Sequence, residues 1–186
     1  MLIFKTLKKY SMSTLNKWVL DPSHSELQFK VKHLMISNVT GQFNVIEGSV
    51  ETENDTFSGS KISFTANAAS IDTANEHRDN HLRGADFFDT EKYPNIHFES
   101  SAYNAADGKI SGNLTIRDIT KPVTLDVEFS GINKDPYGNT KAGFSLSGKI
   151  NRTDWNLTWN AGLEAGGVLV SEDVKILAEI QFAKQA

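Results

Sequence analysis

The sequence predicts an all-β domain of about eight antiparallel strands, closed as a barrel or folded as a sandwich. Three observations lead there. From Trp18 onward, apolar and polar residues alternate at period two, the spacing of a strand with one buried face. Turn residues interrupt that alternation at short intervals, so successive strands join as hairpins. One segment alone, around residues 75–83, lacks β-branched residues and reads as a short helix.

Residues 1–17 read as an N-terminal extension, partly disordered, ahead of a single domain over 18–184. Leu2, Ile3 and Phe4 are apolar, but Lys5, Lys8 and Lys9 interrupt before a secretory apolar core can form. The expected location is therefore cytoplasmic, with periplasmic as the alternative, and Met12 offers a second start. Leu27, Phe29, Val31 and His33 alternate with Gln28, Lys30 and Lys32, a clean half-buried strand. Val39–Val50 also reads as strand. There Phe43 and Val45 have the opposite parity to Ile46, Gly48 and Val50, so one extra residue is expected to form a bulge that turns the strand. Glu51–Lys61 is a polar hairpin loop containing Gly59, and Ile62–Ala68 resumes the alternation.

After the short helix comes the loop Gly84–Pro94, with Phe87 and Phe88 adjacent. Strands follow at Ile96–Phe98, Ile110–Ile116, Val123–Phe129, Phe144–Ile150 and Val174–Phe182. Asn104–Gly108 and Asp135-Pro-Tyr-Gly138 supply hairpin turns, and Pro122 sits where a strand start tolerates a missing N–H. Trp155–Val168 is irregular.

Composition narrows the function. Of 186 residues 39% are hydrophobic, enough with the glycines for a packed core. Net charge is −4, from 19 basic and 23 acidic residues, which leaves no footprint for nucleic acid. No run approaches the ~20 apolar residues of a helical membrane span. Cysteine is absent, so neither a disulfide nor a thiol nucleophile is available.

Motifs of catalysis are equally scarce. His77 and His81 are four apart on the expected helix, but Arg78 stands where a zinc protease needs Glu, and no third ligand is evident. Capping or surface pairing is their default role, and no metal is assigned. No Gly-x-Ser-x-Gly elbow and no phosphate-binding glycine loop occurs. The cluster Arg78, Asp79, His81, Arg83, Asp86 and Asp89 has two readings. Its alternating charges build a salt-bridge network that fixes helix to loop, or Arg78, His81 and Arg83 meet an anionic head group at a cavity mouth.

The inward-parity residues form one apolar surface. They are Phe29 and Val31, then Phe43 and Val45, then Phe64 and Ala66. Next come Ile96 and Phe98, Leu114 and Ile116, and Leu125 and Val127. Phe144 and Leu146, with Ile176 and Ile180, complete the circuit. Side chains alone can fill a barrel of this size, or it can hold one small ligand, and periodicity leaves both open.

Several short motifs resemble, in order, those of the YceI-like family. Trp18-Val-Leu-Asp-Pro-Ser-His-Ser25, Phe29–Leu34 and Val39-Thr-Gly-Gln-Phe43 open the match. Ser70-Ile-Asp-Thr73, Arg78-Asp-Asn-His-Leu-Arg83, Asp86-Phe-Phe-Asp89 and Tyr93-Pro94 follow. Phe98-Glu-Ser100, Gly112–Ile116, Thr120–Leu125, Asp135–Gly138, Gly143-Phe144 and Ile150-Asn-Arg152 continue it. The chain departs at Asp154-Trp-Asn156, where relatives often carry Asp-Phe-Gly, and its first residues are not expected to form the secretory leader of periplasmic relatives.

The resemblance implies an extended, lipocalin-like, eight-stranded antiparallel barrel with one short helix around 75–83. Its interior would hold a long-chain lipid, a polyisoprenoid or isoprenoid quinone, with no required cofactor and no catalytic residue. The inward residues named above become candidate ligand contacts, and Phe87, Phe88, Arg78, His81 and Arg83 candidates for the mouth. A carrier or store, transient membrane contact and a homodimer are the expectations. The alternatives are a structural or stress-response interaction module with a filled barrel, and a lipid hydrolase or isomerase using His33, His81 or Asp79. Affinity in such a barrel comes from its wall. Ten buried methylenes contribute ~8 kcal/mol gross, against ~1 kcal/mol net for one neutral hydrogen bond.

Overall fold

Two long strands, each broken once, begin the barrel. The computed structural model describes residues 15–164 and 166–186, with the backbone alone at Ser101 and Ala102. Strands β1 (Asn16–Leu20) and β2 (Glu26–His33) both run antiparallel to β11 (Val170–Lys184), with a 3₁₀ turn at Pro22–His24 between them. Strands β3 (Ser37–Phe43) and β4 (Ile46–Thr52) pair with β2 and β1 in turn, so they too are halves of one strand. The expected N-terminal extension lies outside the described residues up to position 14. Asn16 and Lys17 belong to β1.

From β4 the chain meanders through β5 (Lys61–Asn67), β7 (Asn95–Asn104), β8 (Lys109–Ile116), β9 (Ile119–Lys134) and β10 (Thr140–Asn151) to β11. Each pairs antiparallel with the last, and β1 against β11 closes eight long strands into a barrel. Closure leaves no continuous free edge. Between β5 and β7 the chain leaves the wall to form β6 (Ile71–Asp72) and the helix α1 (Glu76–Arg83). Asn75 is the helix cap, its side chain accepting from Arg78 N at 2.9 Å.

The bend between β3 and β4 corrects one expectation. Phe43 and Ile46 are both buried, and two residues separate them rather than one. Val45 therefore turns outward and is 52% exposed. Its backbone is held there, with N–H on Ser70 Oγ at 3.0 Å and carbonyl receiving Asn67 N at 2.9 Å.

One end of the barrel is split in two places. β3 pairs with the two residues of β6 rather than with β5, and α1 follows directly on β6 at that gap. Pairing of β9 with β10 stops at Asp126–Ser147, while β8 accompanies β9 on to Ile119. Pro122 lies inside this singly paired stretch, three residues past the strand start, where its missing N–H is tolerated. The 3₁₀ turn Arg152–Trp155 follows β10 here, and buried Trp155 donates Nε1–H to Leu114 O at 3.0 Å.

The other end is stoppered. Phe57 belongs to the β4–β5 loop that reads as polar, yet it is 1% exposed. A positive φ of 61° at Phe57 accompanies this inward position. Ring centroids of Trp18 and Phe144 lie 5.1 Å from it and that of Phe129 lies 5.5 Å away. These rings make a floor.

Candidate functional site

The barrel wall is shaped by large side chains laid over glycines. The Phe29 ring lies against Gly41, its cross-strand partner, and Phe98 lies against Gly112. Leu125 similarly lies against Gly148. A methyl group at any of these glycines would overlap the neighbour, so the large side chains lie along the wall instead of across the axis. Space remains on the axis.

That space forms two adjoining chambers. The lower, about 110 Å³, lies above the floor and is lined by Val127, Phe144, Leu146 and Ile180, with Phe57 and Tyr103. The upper, about 190 Å³, is lined by Phe29, Val31, Phe43, Ile96, Leu114 and Ile116. Leu82 of α1, Phe87 and Phe88 cover it, the last edge-on to Phe43 at 5.8 Å. Leu27, Phe64, Phe98, Leu125 and Ile176 border both chambers and form a waist. Among the upper lining residues Gln28 and Arg152 are the polar ones, and the rest are apolar.

Of the inward residues expected from parity, all but two line a chamber. Val45 faces solvent, as described. Ala66 is fully buried between its partners Ile46 and Ile96, but its methyl is too short to border either space. Leu27, Ile62, Ile110, Val123 and Ile150 continue the same alternating runs and also line the chambers, whereas Tyr103 follows a register shift after Ser100 and has the opposite parity to Ile96 and Phe98. Phe57, Leu82 and Leu157 gave no periodic signal, because they come from a loop, the helix and a turn.

The charged cluster is engaged with the chain around it. Arg78 donates Nε–H to Thr73 Oγ1 at 2.7 Å and Nη2–H to Thr73 O at 2.8 Å. Arg83 donates to Ala69 O at 2.8 Å, Ile71 O at 2.9 Å and Asn80 Oδ1 at 2.9 Å. Both guanidinium groups tie α1 to the 69–73 segment, and neither is among the residues that line the upper chamber. His81 meets Asp86 at 3.1 Å and stands edge-on to Phe87 and Trp159, at 5.1 and 4.7 Å, so it locks the cover.

Buried Asp79 accepts from Thr73 N at 3.0 Å, and His33 pairs across strands with Ser37 and Val170. None of these contacts joins two of His33, Asp79 and His81. Among the described residues no group of three His, Cys, Asp or Glu is placed to hold a metal.

Arg152 was not expected at the site, and it is the one charge bordering the upper chamber. It is 4% exposed. Its Nε–H goes to Ser171 O at 2.9 Å, Nη1 donates to Leu157 O and, at 3.0 Å, to Trp159 O, and Nη2 to Val170 O at 3.4 Å. Burial pushes the guanidinium pKa down, opposed by the field of Glu172. Its position in Ile150-Asn-Arg152 was visible in sequence, but the charge alone did not reveal that it turns inward.

These features define a class: a lipocalin-like closed antiparallel barrel with a chambered apolar interior. The YceI-like domain profile matches residues 18–182, and the chain belongs to the YceI-like family. It is 40% identical over 170 residues to a UPF0312 protein of Staphylococcus aureus, covering 91% of this chain and 98% of that one. A Campylobacter jejuni YceI protein of solved structure is 34% identical with a TM-score of 0.71, covering 97% of this chain and 100% of its own. A polyisoprenoid binding domain from Saccharophagus degradans has the same fold, with a TM-score of 0.67 at 18% identity, covering 92% of this chain and 100% of that one.

Proposed function

We propose that the barrel binds a long-chain, isoprenoid-type lipid by its tail and serves as a carrier or store for it. The observation that carries this reading is the pair of apolar chambers along the barrel, closed below by Phe57 and covered above by Phe87 and Phe88. The Saccharophagus degradans domain of like fold, described as polyisoprenoid binding, agrees with it.

Volume sets the scale. A dry apolar cavity of ~150 Å³ accepts a benzene, so chambers of about 110 and 190 Å³ together take about a dozen carbons. At ~0.8 kcal/mol per buried methylene that is ~10 kcal/mol of gross driving force before ordering costs. A longer tail needs the waist residues Phe64 and Phe98 to turn aside. Binding is favoured over turnover because the chambers are bordered by no acid–base pair.

Mass spectrometry of organic extracts from gently purified protein tests the reading, together with uptake of a labelled polyprenol by the delipidated protein. A stoichiometric long-chain lipid, or saturable uptake, is expected. Folded protein that yields no lipid and takes up no polyprenol overturns it, and a filled structural barrel then stands in its place.

A further inference from the structure

We propose that the split end of the barrel docks on an anionic lipid bilayer through the β2–β3 hairpin tip, Leu34-Met35-Ile36. The inference rests on the lipid-binding reading and adds the surface at which cargo is exchanged. Met35 is 54% and Ile36 84% exposed, and Leu34 N–H donates to Leu169 O at 2.8 Å, which places exposed Val168 beside the tip.

Turn chemistry does not ask for these residues. Leu34 and Met35 have φ of 53° and 59°, the left-handed pair of a I′ turn that Asn-Gly fills without strain. Neither does the core, from which Met35 and Ile36 point away. An apolar side chain held in water at a strained turn is accounted for by a partner that is itself apolar.

The charges beside the tip select the kind of apolar surface. Lys30 and Lys32 are exposed on β2, and Lys175 is the cross-strand partner of Lys30. Among the described residues no ion pair engages any of the three. Nearby Asp173 is held by Lys149 at 2.8 Å, and Glu172 accepts from Asn151. Apolar tip with lysines behind it is the arrangement that enters the headgroup boundary of an anionic membrane.

Position relative to the cavity completes the case. Val31 lines the upper chamber three residues before the tip, and Val170, also lining it, pairs with His33. A bilayer touching Met35 and Ile36 therefore lies at the chambered end, opposite the Phe57 floor.

Co-sedimentation with vesicles of phosphatidylcholine alone, and with added phosphatidylglycerol, tests this on the full chain. The wild type is expected to bind the anionic vesicles and to release them in high salt. Combined Met35→Ser and Ile36→Ser should weaken binding about ten-fold. Combined Lys30→Glu and Lys32→Glu should weaken it at least about twenty-fold, and only on anionic vesicles.

Thermal unfolding and polyprenol uptake from detergent micelles are measured on the same proteins and should be unchanged. Uptake reports on the lipid reading and sedimentation on the docking surface, so either can fail alone. Folded variants that sediment like the wild type overturn the docking surface. So does a wild type that binds no vesicles but forms a dimer lost with the tip substitutions, which would make the tip a contact between copies.

Discussion

Replacing Ala178 by Phe should cut the accessible tail length without unfolding the barrel. Ala178 faces the lower chamber from β11, with Leu146 and Leu27 as cross-strand partners. The change adds a phenyl group to a space of about 110 Å³, while a benzene occupies a cavity of ~150 Å³, so the chamber disappears and its walls are pressed slightly outward. Filling the void returns up to ~2.6 kcal/mol at ~24 cal/mol per Å³, and overpacking takes back ~1–3 kcal/mol. Net stability should move by no more than about 1–2 kcal/mol. Binding should change more. The lower chamber holds about four carbons, worth ~3 kcal/mol at ~0.8 kcal/mol each, so affinity for a long tail should fall about 100-fold. A short amphiphile that fits the upper chamber alone should bind as before. Titration of a chain-length series, read by native mass spectrometry, separates the two. If the folded variant keeps full affinity for the long tail, the tail does not reach the lower chamber and the assignment of the cavity is wrong.

Three further outcomes are expected. Phe57→Ala removes the floor ring, and should cost ~3–5 kcal/mol in a denaturant melt while admitting longer tails than the wild type. Arg152→Met takes this donor from the carbonyls of Leu157, Trp159 and Ser171, while Val170 O keeps Asn160 Nδ2 at 2.7 Å. At ~1–3 kcal/mol for each buried carbonyl left unsatisfied it should cost ~3–5 kcal/mol, and it should raise amide exchange in the turn after β10 before the rest of the barrel. Asp21 accepts from Lys141 Nζ at 2.8 Å and His24 Nδ1 at 3.0 Å, which hold its carboxyl well below the ordinary value of 3.8. A folded pKa below the unfolded one means stabilisation complete above about pH 5 and lost as pH falls toward the folded value. Asp21→Asn should therefore cost ~1–2 kcal/mol at neutral pH, with the gap to wild type narrowing in acid melts; a constant gap would show that the ion pair is not its source.

Much of the architecture was legible because it is local. Alternation over Leu27–His33 or Phe144–Ile150 needs only neighbouring residues, and the turns at Asn104–Gly108 and Asp135–Gly138 lie where their residue types place them. Even the bend between β3 and β4 was visible as a parity change. The outward turn of Val45 was not, because its placement depends on Ser70 and Asn67, distant in sequence. Phe57 was missed for the same reason, since only its contact with Trp18, Phe129 and Phe144 makes a polar loop into a stopper. The charges of α1 could be counted in sequence, but which acceptors they meet was decided by the packing of the helix on the 69–73 segment.

The amino-acid sequence by itself determined which face of each strand turns inward, and with that the apolar character of the interior. Only the tertiary structure decided that the interior is hollow. A side chain's parity states its direction and says nothing of its reach. Free volume on the axis arises where Phe29, Phe98 and Leu125 lie across Gly41, Gly112 and Gly148, and those contacts exist only once the strands are in register.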